Sequence, residues 1–165
     1  MDPAGLVSAV EDLAELLRDA TDGGSSVGFL APLPPADAKA WWLALVPAVA
    51  AGQVRLWVAR SAGRVVGTVQ LRPSPMPNGR HRAELAKLVV HSSARGQGVG
   101  RALLAAAEQG AREAGLTLLV LDTEEGSAAE PLYRSQGWTE SGRIPGYAAD
   151  PRGAPRTTIY FYRTL

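Results

Sequence analysis

Leu88-Val89-Val90-His91-Ser92-Ser93-Ala94-Arg95-Gly96-Gln97-Gly98-Val99-Gly100-Arg101 is the stretch on which the fold turns. It opens on apolar, β-branched residues, passes through a turn with three glycines, and leads into an apolar stripe of Val99, Leu103, Ala107, Ala111 and Ala114. That pattern is a strand, a tight turn and a helix, with Gly115 as the helix stop. Leu116 to Leu121 follows as a short, fully apolar strand. Strand, helix and strand in that order make a βαβ unit, so the strands near residues 88 and 119 are expected to lie parallel, joined by a right-handed crossover. Glu108 and Arg112 are spaced to pair across one turn on the outer face of the helix.

Upstream, Val54 to Ala59 and Val65 to Leu71 are rich in β-branched residues and joined by Ser61-Ala62-Gly63, which predicts a hairpin. Pro73 to Gly79 reads as a loop, and Ala83 to Val90 as a third strand, mixed rather than cleanly alternating. Further upstream, Val7, Val10, Leu13, Leu17 and Ala20 fall at helical spacing, ended by Gly23-Gly24-Ser25-Ser26. A second helix is expected from about Pro35 to Ala51, kinked at Pro47. Downstream come a short helix from about Ser127 to Gln136 and two strands, Trp138 to Ser141 and Thr157 to Tyr162, separated by a loop from Pro145 to Pro155. The sum is an α+β fold: a mixed, mostly antiparallel central sheet with one parallel step and flanking helices. A length of 165 residues favours a single domain, 1–165.

Composition removes several function classes. Seventeen Lys+Arg against 16 Asp+Glu leave a net charge of +1, without the basic footprint of a nucleic-acid partner. With no cysteine, a cysteine nucleophile, a thiolate metal site and a disulfide framework are excluded. Two histidines are too few for a His-built zinc site, so no metal is expected. No run approaches the roughly 18 apolar residues of a membrane helix. Asp2, Glu11 and Asp12 do not suit a signal peptide. The expectation is a cytoplasmic monomer or homodimer with no membrane partner.

The glycine turn carries the chemistry. Glycines let the backbone approach a ligand closely, and the first N–H groups of the following helix have no internal partner. Together with the macrodipole they form an anion site, most naturally for phosphate. Arg95 and Arg101 flank the helix start, an unfavourable place for cations that an anionic ligand between them would explain. The segment continues Gly100-Arg101-Ala102 rather than Gly-Lys-Ser/Thr, so it is not a Walker loop. Leu103 stands where the dinucleotide fingerprint wants its third glycine.

Arg95-x-x-Gly98-x-Gly100 resembles the Arg/Gln-x-x-Gly-x-Gly/Ala pattern of the GNAT superfamily of acetyl-coenzyme A-dependent N-acetyltransferases. Leu88-Val89-Val90-His91 looks like that family's bulged fourth strand, and Leu132-Tyr133 with Gly137-Trp138 looks like its Leu-Tyr-x-x-x-Gly-Phe signature. The resemblance covers about residues 54 to 140. Gly28-Phe29-Leu30, Ile144-Pro145-Gly146-Tyr147 and Thr158-Ile159-Tyr160-Phe161 are similar to the tabtoxin-resistance branch.

The resemblance implies acetyl-CoA as cosubstrate and a small-molecule amine as acceptor. The coenzyme pyrophosphate would sit on the main chain of Arg95, Gly96, Gln97, Gly98, Val99, Gly100 and Arg101. The pantetheine arm would lie between the splayed fourth and fifth strands of the family, here Leu88, Val89 and Val90 against Leu119 to Leu121. A β-bulge there would free the backbone, and the Val90 N–H would stabilise the oxyanion. Tyr133 is the implied general acid. Glu84 precedes Arg95 by 95 − 84 = 11 positions, a spacing some members use for a catalytic glutamate base. Asp122, better suited to holding the substrate ammonium, and His81 are the rival bases; His91 reads as a turn residue. Trp41, Trp42, Trp57 and Tyr147 are the aromatics available to the acceptor side, and Tyr147 is taken as a substrate contact.

Two departures stand out. Gly126 falls where many members carry an Asn that contacts the pantetheine arm, leaving Ser127 or a backbone group to substitute. Met1 to Leu6 is too short for the strand with which the family usually begins. The alternatives to an N-acetyltransferase are a non-catalytic acyl-CoA-binding or sensing module, and a nucleotide-binding protein using the same turn.

Overall fold

The computed structural model describes residues 1–165. The chain opens with helices α1 (Pro3–Ser8), α2 (Val10–Asp22), α3 (Pro35–Leu43) and α4 (Val46–Ala50). Strands β1 (Arg55–Ser61), β2 (Arg64–Pro73) and β3 (Arg82–Val90) follow, then α5 (Val99–Glu113), β4 (Leu118–Glu124) and α6 (Glu130–Ser135). Strands β5 (Thr139–Ala149) and β6 (Pro155–Thr164) close the chain. The six strands form one sheet in the order β1-β2-β3-β4-β6-β5. Every pairing is antiparallel except β3 with β4. The expected α+β sheet with its single parallel step is present. In this chain the step joins β3 and β4, with four helices ahead of β1.

Both N-terminal helices differ from their expected form. Asp2 Oδ1 accepts from the Gly5 N–H at 2.7 Å and Pro3 opens the first turn, so helix starts at Pro3; Ala9, at φ −97° and ψ 4°, separates that turn from α2. The helix expected from Pro35 to Ala51 is broken rather than kinked. Pro47 donates no N–H and its ring opposes the carbonyl four residues back, at Leu43, which is where α3 ends.

The loop expected from Pro145 to Pro155 is for the most part strand. β5 keeps pairing with β6 through Ala149 after an irregularity between Ile144 and Ala148. Pro145 is tolerated because β5 is the sheet edge. The reversal itself is short, with Asp150 Oδ1 accepting from the Arg152 and Ala154 N–H groups at 2.9 and 3.0 Å. β4 runs to Glu124, so Asp122 lies within it, and α6 begins only at Glu130.

Glu108 does not sit on the outer face of α5. It follows Leu104 by four residues and precedes Ala111 by three, both buried, and is itself 6% exposed. Its Oε1 accepts from Trp138 Nε1 at 3.0 Å and from Arg163 at 3.1 Å, while Arg112 stands off at 3.9 Å. The end of α5 is as expected: the Gly115 and Leu116 N–H groups donate to Arg112 and Ala111, a Schellman pattern.

The sheet separates two cores. On one face Val69, Leu71, Leu85, Leu119, Leu121, Ile159 and Phe161 pack against Leu103, Leu104, Ala107 and Ala111 of α5, with Tyr133 and Trp138. On the other, Leu56, Val65 and Val89 pack against α1, α2 and α3 through Leu6, Leu13, Leu16, Leu17 and Trp42. Leu85 and Val89 would share a face in an unbroken strand, yet they belong to different cores. A bulge lies between them: Ala86 pairs with Gln70 and Val89 with Thr68, leaving an extra residue on β3, and Lys87 takes φ 51°. This is the cause of the mixed pattern in that strand.

Candidate active site

The parallel step is a fork. Arg82, Ala83 and Glu84 pair with Leu118, Leu119 and Val120, and there the pairing stops. Glu84 is therefore the last residue before β3 and β4 diverge. Leu119 is still zipped to Ala83, so the residues facing Leu88, Val89 and Val90 across the opening are Leu121 to Glu124 rather than Leu119 to Leu121. The His91 N–H donates to the Val66 carbonyl at 2.9 Å. Since successive N–H groups of a strand alternate between its edges, that of Val90 turns away from β2 and toward the opening.

At the wide end of the fork lies the glycine turn. Gly96 and Gly98 adopt φ +74° and +80°, which glycine alone takes at little cost. The first helical bond of α5 runs from the Ala102 N–H to the Gly98 carbonyl at 3.0 Å. From Gly96 to Arg101 no main-chain N–H donates to a protein acceptor. Six donors in succession, at the positive end of a 15-residue helix, make a strong anion site. The Arg95 side chain closes back on the strand, its Nε donating to the Val90 carbonyl at 3.1 Å, and Gln97 donates to the Ser93 carbonyl. Val99 and Gly100 begin α5, with Gly100 pressed toward Leu132 and Val90, and Arg101 is exposed.

Several ionisable groups converge on the fork. Tyr133 is 4% exposed and packs against Trp138 and Phe161 at ring distances of 5.8 and 6.0 Å. Burial, and then the charge of Asp122, push its hydroxyl pKa up, so it stays a proton donor at neutral pH. Asp122 projects from β4 opposite Tyr160 of β6. Water reaches its edge, yet the surrounding walls strip enough hydration to raise its pKa, an effect that Lys87 opposes. Glu84 and Asp122 both act on Lys87, whose pKa is lowered chiefly by burial and then by Arg72. Tyr160 is pushed up to about 12, first by the hydroxyl of Tyr147 and then by burial. The rings of Tyr147 and Tyr160 meet edge-on at 5.7 Å.

Glu84, Asp122, Tyr133 and Tyr147 are thus brought together. Ser127 stands at the turn after β4, its Oγ 3.0 Å from Thr123 Oγ1. His81 precedes β3, and its carbonyl accepts from Thr117 and Leu118 at the closed end of the fork. His91 caps the short turn Ser92–Ala94, as expected. Trp42 is core, its Nε1 donating to the Leu13 carbonyl, and Trp57 is half-buried against α5 at Gly110. Trp41 is half-buried beside Phe29 and Lys87, next to the fork. A hollow of 480 Å³ between α1, α4 and β1 is lined by Trp57 but by none of the ionisable groups at the fork.

Lys87, Arg72, Gln70 and Tyr160 were not singled out from the sequence. Gln70 is fully buried on β2, and its Oε1 accepts from both Nε and Nη2 of Arg72, at 3.1 and 2.8 Å. A lysine beside a suspected bulge was the available signal.

The acetyltransferase (GNAT) family model matches residues 10–138. N-acetyltransferase 8 of Rattus norvegicus is 41% identical over 90 residues, covering 52% of this chain and 40% of the relative. The chain thus spans about two-fifths of the length of the known relatives it matches. The structure of a ribosomal-protein-alanine N-acetyltransferase from Brucella melitensis superposes with a TM-score of 0.80 at 28% identity, covering 96% of each chain. A Salmonella typhimurium protein solved with its cofactor acetyl-CoA shares the fold, with a TM-score of 0.77 at 21% identity, over 96% of this chain and 90% of that one.

Proposed function

The chain belongs to the GNAT family of acetyltransferases, and from that premise we propose that it moves an acetyl group from acetyl-CoA to a primary amine of a small molecule by direct attack. The observation that carries this reading is the run of unpaired N–H groups, Gly96 to Arg101, at the open end of a fork in the sheet. A diphosphate fits those donors, and the unzipped edges of β3 and β4 can bond the amides of a pantetheine arm. Acetyl-CoA supplies the activated acyl thioester.

The residues then divide the work. The Val90 N–H stabilises negative charge on the acyl oxygen. Tyr133, held protonated by burial, gives its proton to the departing sulfur. Asp122 holds the incoming ammonium, and Glu84, at the branch of the fork, takes its proton through water. Trp41, Tyr147 and Tyr160 wall the acceptor, and Ser127 lies where the pantetheine arm would pass.

Tyr133→Phe tests the assignment, with free thiol release followed across a panel of primary amines. The variant is expected to bind acetyl-CoA like the parent, with turnover lower by about 10²–10⁴-fold. At about 100 times Kd the coenzyme adds about 2.7 kcal/mol of stability to either protein. Unchanged turnover removes Tyr133 from the chemistry. Intact coenzyme binding with no turnover on any amine favours the acyl-CoA sensor, and stabilisation by ATP equal to that by acetyl-CoA favours a nucleotide site.

A further inference from the structure

The chain is almost free of lysine. Of its 17 Lys+Arg residues only Lys39 and Lys87 are lysine. Lys39 is a surface amine paired with Glu11 at 2.7 Å. Lys87 is placed otherwise. It occupies the bulge that opens the fork, at φ 51°, a conformation that a long side chain rarely adopts. The side chain is half-buried, and its Nζ lies 5.5 Å from the ring centroid of Trp41 and against Gly28. It makes neither an ion pair nor a hydrogen bond, although Asp122 and Glu84 both bear on it electrostatically. An uncommitted primary amine therefore stands beside the place where amines are acylated.

We propose that Lys87 is itself an acetyl acceptor, modified by acetyl-CoA bound to the same chain. The inference rests on the donor reading given above. The neutral Nζ forms a bond to the thioester carbonyl carbon while the carbon–sulfur bond breaks. One proton leaves the nitrogen for the Asp122 carboxylate, and the departing thiolate takes one from Tyr133, so the products are the lysine acetamide and the free coenzyme thiol. No other reactant is required. Burial and the Arg72 charge favour the neutral amine that the step needs. Modification removes one positive charge from the wall that carries Asp122 and Trp41, leaving it more apolar and more negative.

The test uses the whole chain with acetyl-CoA and no added amine, followed by intact mass and by peptide mapping of Lys39, Lys87 and the Met1 amino group. Lys39 serves as the internal clock for uncatalysed acetylation. A single acetyl at Lys87 is expected, appearing at least about tenfold faster than at Lys39 because the reacting groups are held together. Tyr133→Phe is expected to slow the mark at Lys87 by about 10²-fold or more while leaving Lys39 unaffected. The melting temperature with and without acetyl-CoA is read in parallel. Stabilisation with Lys87 unmarked, or marked no faster than Lys39, overturns the inference and leaves the donor reading standing. No stabilisation and no mark overturn both.

Discussion

Asp19, near the end of α2, accepts two hydrogen bonds from Ser92, 73 residues further along: 2.8 Å from its N–H and 2.6 Å from its hydroxyl. His91 Nε2 and Arg95 Nη2 lie 3.7 and 3.9 Å from the same carboxylate. A helix on the acceptor side thereby anchors the root of the glycine turn. Asp19→Ala is expected to lower stability by about 1 kcal/mol, since Ser92 is exposed and water can take the place of the lost acceptor. It should also weaken acetyl-CoA binding about tenfold, or about 1.4 kcal/mol by titration calorimetry. Unchanged affinity would show that the turn holds its shape without α2.

Gly98→Ala isolates the backbone of the turn. No heavy atom lies within 4 Å of the position a Cβ would take, so no clash contributes. The cost is the left-handed conformation at φ +80°, about 1–2 kcal/mol in a denaturant titration. If the main chain relaxes to relieve that strain, the N–H array is lost, and coenzyme affinity falls more than stability does.

Asp122→Asn separates catalysis from stability through pH. The folded-state pKa of Asp122 is raised above 3.8 by burial, so its ionised form costs stability as pH rises through the folded value. The variant should melt with the parent at about pH 3 and above it at about pH 7, while losing activity. The gain is small, because Lys87 already offsets part of the charge and the exposed edge is screened by water. A melting temperature at neutral pH that falls instead would mean the carboxylate stabilises the fold.

Glu108→Ala should be among the more damaging single changes on α5. It leaves the Trp138 indole N–H and the Arg163 guanidinium without a shared acceptor in a nearly sealed position, at a cost of about 2–4 kcal/mol by urea unfolding. Glu108→Gln keeps an acceptor oxygen for Trp138 and should cost less.

The βαβ unit and the glycine turn were legible because their signals are local: β-branched runs, clustered glycines and a helical stripe. Even the bulge left a trace, in the failure of residues 83–90 to alternate. Tertiary partners left none. An i,i+4 spacing suggests that Glu108 pairs with Arg112, whereas its closer partners come from 30 and 55 residues away. Pro145 and Gly146 look like strand breakers until β5 is known to be an edge. Lys87 lies beside the expected bulge, but only its left-handed conformation brings it against Trp41. Glu84 and Tyr133 became candidates through family resemblance and Asp122 through its place near the end of a strand, since nothing local in a strand carboxylate or a helical tyrosine marks a fork.

The change of face at Lys87 divides the molecule into two workshops that share one wall. The side built on α5 can keep a fixed grip on a donor common to many enzymes. On the proposed reading the side built on α1, α2 and α3 shapes the acceptor, and it can be recarved while the amides of the glycine turn stay in place, provided the Asp19–Ser92 tether and the packing of Val89 survive. Engineering a change of acceptor in this scaffold therefore belongs in the N-terminal third of the chain and along the β5 edge.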